Sequence, residues 1–199
     1  MNKRLKLGVL GSGKGSNFKA IMERIIDGRV PAEVRLVISD RPDSGILSYA
    51  RDFQVPALFV NPGKYRTRLE TEVEQDIVRL LQEAAVELVV LAGFMRVLKE
   101  PMLRAFPRSI INIHPSLLPK YKGLEAWKQA LAATESVTGC TVHYAEAAVD
   151  GGHIIAQREV PILPNDTPES LHARIQVAEH ELLPEVVRQI ALERLTGLA

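Results

Sequence analysis

The chain has 199 residues, 46% hydrophobic and 25% charged, and 25 Lys and Arg against 24 Asp and Glu leave a formal charge of +1. That mixture is ordinary for a soluble globular protein and excludes a disordered chain, which would be poor in apolar residues and strongly charged. Near-neutrality offers no field to hold a nucleic-acid backbone, and no apolar run approaches the ~20 residues of a membrane helix.

The single cysteine, Cys140, allows no intrachain disulfide, as expected of a reducing compartment. Met1-Asn2-Lys3-Arg4 is basic, but Lys6 and Gly8 interrupt the apolar residues behind it before a secretory segment can form, which points to the cytoplasm. Leu5–Leu10 reads as a first strand, residues 11–17 as a glycine-rich turn, and Phe18–Asp27 as a helix closed by Gly28. Val34–Ile38 reads as a strand, Ser44–Phe53 as a helix and Ala57–Val60 as a strand. Across Arg66–Ala85, Leu69, Val73, Ile77, Leu80 and Leu81 form the stripe of an amphipathic helix. Leu88–Leu91 is all apolar, the composition of a strand buried on both faces, and Ile110–Ile113 reads as another strand.

This alternation predicts an α/β fold with a doubly wound, mostly parallel sheet. After His114 the pattern changes. Gly139–Ala145 and His153–Val160 read as two antiparallel strands around an Asp150-Gly151-Gly152 turn. Pro168–Leu195 reads as a closing C-terminal helix capped by Asp166 or Thr167, with Pro184 kinking or splitting it. Neither repeat nor linker interrupts residues 1–199, so they form a single domain, its halves meeting near residues 105 and 106.

In open parallel sheets ligands bind beyond the carboxyl ends of the strands. Three segments should therefore meet: Gly11-Ser12-Gly13, Ala92-Gly93-Phe94-Met95 and Asn112-Ile113-His114-Pro115. The run Gly11-Ser12-Gly13-Lys14-Gly15-Ser16-Asn17 opens a helix, where backbone N–H groups and the helix dipole suit a phosphate. It has Ser16 where the dinucleotide fingerprint needs glycine, and it does not close as a Walker A loop. It reads as a mononucleotide-type phosphate cradle or as a tight turn with a Ser or Asn cap.

Asn112 and His114 are two apart on an extended segment and point to one side. An imidazole can move a proton near pH 7, and a carboxamide can donate to an oxyanion; the alternative is a satisfied core histidine. Asp150 is either part of an Asp-Gly hairpin turn or a carboxylate that orients His114 and favours its charged form. Cys140 reads as a small buried hydrophobe, and Trp127 as packing. His143, His153, His172 and His180 do not fall at metal-ligand spacing, so no metal is expected. His143 could face the site from its strand.

The glycine-rich loop, Ala92-Gly93-Phe94-Met95-Arg96-Val97-Leu98, Asn112-Ile113-His114-Pro115-Ser116-Leu117-Leu118-Pro119 and Asp150-Gly151-Gly152 occur in an order that resembles the phosphoribosylglycinamide formyltransferases, a branch of the folate-dependent formyltransferases. The resemblance spans nearly the whole chain. It implies a Rossmann-like formyltransferase fold and transfer of the formyl group of 10-formyltetrahydrofolate to the amine of 5′-phosphoribosylglycinamide in purine synthesis. It implies Asn112, His114 and Asp150 as the catalytic trio. Gly15, Ser16, Asn17, Gly93, Met95, Gln176 and Glu179 would contact the glycinamide substrate, Glu179 at the ribose hydroxyls. Arg96, Val97, Leu98, Ala147, Ala148 and Val149, with Asn112 and Asp150, would line the folate pocket. Lys64 and Arg66 are further candidates for the substrate or the folate tail. The N-terminal half would bind phosphate and the C-terminal half would hold the folate and the catalytic groups. Partners would be small molecules, with no nucleic acid or membrane, in a monomer or homodimer. The competing readings are a methionyl-tRNA formyltransferase-like enzyme, a formyltetrahydrofolate hydrolase-like enzyme, and a non-catalytic mononucleotide-binding domain.

Overall fold

A computed structural model describes residues 3–197; Met1, Asn2, Leu198 and Ala199, and with them the start of the basic N-terminal segment, lie outside the described residues. The elements run β1 (Leu5–Leu10), α1 (Ser16–Ile26), β2 (Ala32–Ser39), α2 (Gly45–Asp52), β3 (Ala57–Phe59), α3 (Thr71–Glu83), β4 (Leu88–Leu91), α4 (Glu100–Ala105), β5 (Ile110–His114), α5 (Ala126–Ala132), β6 (Val137–Tyr144), β7 (Ile154–Pro161) and α6 (Pro168–Thr196). They build one seven-stranded sheet in the order β3-β2-β1-β4-β5-β6-β7. The first five strands pair parallel; β6 pairs antiparallel with β5, and β7 antiparallel with β6. The expected doubly wound sheet with an antiparallel C-terminal region is therefore present.

Two apolar layers cover the sheet. On one side Phe18 and Ile21 of α1, Ile46 of α2, and Ile175, Leu182 and Val186 of α6 pack with Leu7, Val9 and Val90. On the other, Ile77 and Leu81 of α3 and Met102 of α4 pack with Leu10, Ile38 and Val89. Alternate residues of β1 and β4 thus feed opposite layers, as a strand buried on both faces requires.

Four details differ from the sequence reading. Helix α3 starts at Thr71 rather than Arg66; Leu69 is buried from an extended segment in which Arg68 bridges to Val97, so its apolar character does not extend the helical stripe. The short helices α4 and α5 were not anticipated. Residues 145–153 form a nine-residue connection between β6 and β7 rather than a tight Asp-Gly turn. Helix α6 runs unsplit through Pro184. Its missing N–H forfeits one helical bond, but Leu182, Leu183, Val186 and Val187 anchor both flanking turns in the core. Of the two cap candidates, Thr167 is the cap: its side chain accepts from Ser170 N–H, and the Ser170 hydroxyl accepts in return from Thr167 N–H.

Candidate active site

The loops that follow β1 and β4 are joined to each other. Ser12 N–H donates to the Gly93 carbonyl at 3.1 Å, and Met95 N–H donates to Ser12 Oγ at 2.8 Å. Beside this junction, at the carboxyl ends of β4 and β5, lies a cavity of about 370 Å³, within the range of small-molecule sites. Gly93, Met95, Arg96, Val97 and Leu98 form one wall. Asn112 and His114 of β5 face it together, and Ala148, Val149 and Asp150 close it from the β6–β7 connection. The three segments expected to converge do so.

Asp150 reaches inward because its loop is bent at both positions that matter. Asp150 itself has φ 47, in the left-handed region. At Gly152 a Cβ would sit 1.9 Å from the Tyr144 carbonyl oxygen, so only glycine lets the returning strand approach. Asp150 Oδ2 then lies 3.5 Å from His114 Nδ1 and accepts Gly123 N–H at 2.8 Å, while Oδ1 lies 3.7 Å from His143 Nε2. The carboxylate gaps are loose for hydrogen bonds, as catalytic contacts often are before substrate arrives.

His114 is 5% exposed. Its Nε2–H donates to the Tyr121 carbonyl at 2.8 Å, which leaves Nδ1 toward Asp150. Burial lowers its pKa, and the Tyr121 carbonyl and the Asp150 charge do not fully offset that. This corrects the expectation that Asp150 holds the imidazole charged: desolvation outweighs the ion pair. For Asp150 itself burial pushes the carboxyl up, but the His143 contact, Gly123 N–H and the two facing imidazoles together bring it below its ordinary value.

The glycine-rich loop is built for close approach. Gly15, the residue before α1, has φ 79, and a Cβ there would lie 2.6 Å from Ile46 Cα. No side chain caps α1, so the Ser or Asn cap considered from sequence is not formed, and Asn17 instead donates to Glu179 Oε2 at 2.8 Å. Glu179 is 6% exposed, and burial pushes its carboxyl up to about 7 against the lowering effect of Asn17. Asn17 Oδ1 is buried without a partner. Ser16, at the start of α1, and Gln176, one turn before Glu179 in α6, are half-buried. A second cavity of about 640 Å³ opens on the other flank of the loop, lined by Gly13, Lys14, Arg41, Ser44 and Ser48.

A Formyl transferase family model matches residues 5–187. The chain belongs to the formyl transferase family. It is 39% identical over 185 residues to phosphoribosylglycinamide formyltransferase of Bacillus subtilis, covering 93% of this chain and 94% of that protein. It is 44% identical over 192 residues to the trifunctional purine biosynthetic protein adenosine-3 of Drosophila pseudoobscura pseudoobscura, and there the match spans 14% of the relative's length. Among solved structures, glycinamide ribonucleotide transformylase 1 from Symbiobacterium toebii superposes with a TM-score of 0.91 at 47% identity, covering 96% of this chain and 89% of that one.

In this formyl transferase the side chains around the cavity divide between lining it and supporting its walls. The Arg96 guanidinium points to structural partners: Nε donates to Asp40 Oδ2 at 2.6 Å, and Nη1 donates to the carbonyls of Tyr65 and Arg66. Its contribution to the cavity wall is therefore chiefly main chain. Ala147 is exposed, with Ala148 and Val149 nearer the cavity. Lys64 is exposed and pairs with Glu70. Trp127 lies on the cavity rim and stacks on His172, centroids 3.7 Å apart and planes 1° from parallel. Cys140 is fully buried, and burial pushes its thiol up to about 12, which keeps it inert.

His143 lines the cavity and is the site residue to which the sequence gives least weight. It is 2% exposed and sits directly opposite Asn112 in the β5–β6 ladder. The signal that could have found it is the strand register, which needs the fold. Among the described residues, no group of three or more His, Cys, Asp or Glu is placed to hold a metal ion. No helix among them is long and apolar enough to cross a membrane.

Proposed function

We propose that this formyl transferase moves the formyl group of 10-formyltetrahydrofolate to the amine of 5′-phosphoribosylglycinamide, giving the N-formyl product and tetrahydrofolate in purine synthesis. The observation that carries this reading is the meeting of an amide, an imidazole and a carboxylate, Asn112, His114 and Asp150, on one largely apolar cavity. The near-full-length similarity to phosphoribosylglycinamide formyltransferase supports the choice of acceptor.

The chemistry is acyl transfer. A neutral amine attacks the formyl carbon, the formyl oxygen becomes an oxyanion, and the folate nitrogen departs more easily once protonated. Asn112 would donate an N–H to the oxyanion. Burial favours a neutral His114 at rest, with Nε2–H held by Tyr121. As the oxyanion forms, two negative charges, it and Asp150, flank the ring. The imidazolium is then stabilised more in the transition state than before it, the condition for catalysis. Nδ1 faces Asp150 and can take up the amine proton and pass it to the leaving nitrogen. Gly15, Ser16 and Asn17 would hold the phosphate at the start of α1, with Glu179, Gln176, Gly93 and Met95 along the glycinamide substrate. The walls at Arg96–Leu98 and 147–150 would hold the pterin. The single buried thiol suits a reducing compartment such as the cytoplasm.

The test mixes protein, 10-formyltetrahydrofolate and each acceptor, and follows release of tetrahydrofolate by absorbance. Release only with phosphoribosylglycinamide is expected. Release with water alone or only with methionyl-tRNA would replace the proposal with a hydrolase or a tRNA enzyme, and no release with any acceptor would favour a binding module.

A further inference from the structure

The β5–β6 ladder sets Asn112 against His143. His143 Nδ1 lies 2.8 Å from the carbonyl of Tyr144. A carbonyl only accepts, so Nδ1 carries a proton. In the neutral ring Nε2 is then bare and can only accept. Asn112 Nδ2 lies 3.1 Å from it. The amide must therefore present its nitrogen to His143, because the flipped amide would set two acceptors face to face. One N–H of Asn112 is held by the ring, and the second N–H of the same nitrogen is left over.

We infer that neutral His143 is a positioning residue that locks the carboxamide of Asn112 nitrogen-first, so that its free N–H is the one presented to the formyl oxygen. The inference rests on the formyl transfer proposed above. Its physical basis is that an oxyanion donor stabilises charge best when it is already oriented and need not turn during reaction. An unheld carboxamide can rotate, and it can offer its oxygen, which repels the oxyanion. The site gives His143 an alternative: Asp150 Oδ1 is 3.7 Å from the same Nε2. A ring protonated there would turn toward the carboxylate and release Asn112. The same nitrogen thus ties the donor to the acid across the cavity.

Three measurements test this. His143→Phe keeps the ring volume and removes the acceptor; kcat should fall about 10- to 100-fold, the scale of a misplaced catalytic group, with the folate KM changed less than threefold. His143→Gln restores an acceptor and should recover most of that loss. The double variant Asn112→Ala/His143→Phe should be no slower than Asn112→Ala alone, because the partner being positioned is gone. Losses that multiply in the double variant, or a His143→Phe enzyme with wild-type kcat, would overturn the inference. Should either variant fail to fold, or the acceptor prove to be another molecule, a nitrogen-15 spectrum of the histidine-labelled wild-type protein still decides it. A proton on Nδ1 and a bare Nε2 of His143 at pH 7.5 support the inference; a proton on Nε2 refutes it.

Discussion

Asp150 Oδ2 lies 3.5 Å from His114 Nδ1, and the same oxygen accepts Gly123 N–H at 2.8 Å. One carboxylate thus serves the imidazole and also pins the loop that carries Tyr121, whose carbonyl holds the other side of the ring. Replacing Asp150 by Asn separates the two duties, since an amide oxygen can still accept from Gly123. Asp150→Asn is expected to keep the fold and the KM for phosphoribosylglycinamide, and to lose at least about 10²-fold in kcat. Asp150→Ala should show the same kcat loss with a raised KM as the loop loosens. Steady-state kinetics on both variants separate these outcomes, and equal KM values would mean that the Gly123 contact does not hold the loop.

The glycine loop contains one glycine that the packing requires and one that it does not. A Cβ at Gly15 meets the Ile46 backbone at positive φ, whereas one at Gly13 meets nothing within 4 Å. Gly15→Ala is expected to cost on the order of 1–3 kcal/mol in unfolding free energy, and Gly13→Ala no more than about 0.5 kcal/mol. Urea melts measure both. Ser16→Ala should raise the phosphoribosylglycinamide KM severalfold and leave the folate KM alone; a change in both would make the loop a turn rather than a phosphate cradle.

Glu179 makes stability depend on pH. Its buried carboxyl is pushed up to about 7, so the folded state binds this proton more tightly than the unfolded chain. Its contribution is fully present below the ordinary carboxyl pKa and is lost as pH rises through about 7. Thermal melts should show wild-type stability declining between pH 5 and pH 8, by a few kcal/mol in order of magnitude. Glu179→Gln should flatten that decline, since Gln can still accept from Asn17. An unchanged slope would show that other groups carry it. If Glu179 also meets ribose, the variant will raise the phosphoribosylglycinamide KM.

Strands β1 and β4 were legible to the residue: Leu88–Leu91 is a continuous apolar run, and in Leu5–Leu10 the leucines and Val9 outweigh Lys6 and Gly8 ahead of the glycine-rich turn. The chain order of the chemistry was legible too: a strand end followed by Asn-x-His, and an acid before paired glycines. Helices α4 and α5, six and seven residues long, are too short to show an apolar period. Leu69 misled because an extended segment can bury one residue as well as a helix can. His143 was legible only as a residue that could face the site, and Tyr121 not at all, because their placement depends on register and on a backbone carbonyl, neither of which a residue type announces. The protonation of His114 was misjudged because burial, the largest influence on it, is visible only once the strand is packed.

The decisive measurement is single-turnover formyl transfer from 10-formyltetrahydrofolate to phosphoribosylglycinamide by wild-type protein, Asn112→Ala and His114→Ala, each checked for folding by circular dichroism. Folded variants slowed by about 10²–10³-fold or more, with product still formed by the wild type, are the predicted result. A folded Asn112→Ala or His114→Ala enzyme that transfers formyl at the wild-type rate would contradict it.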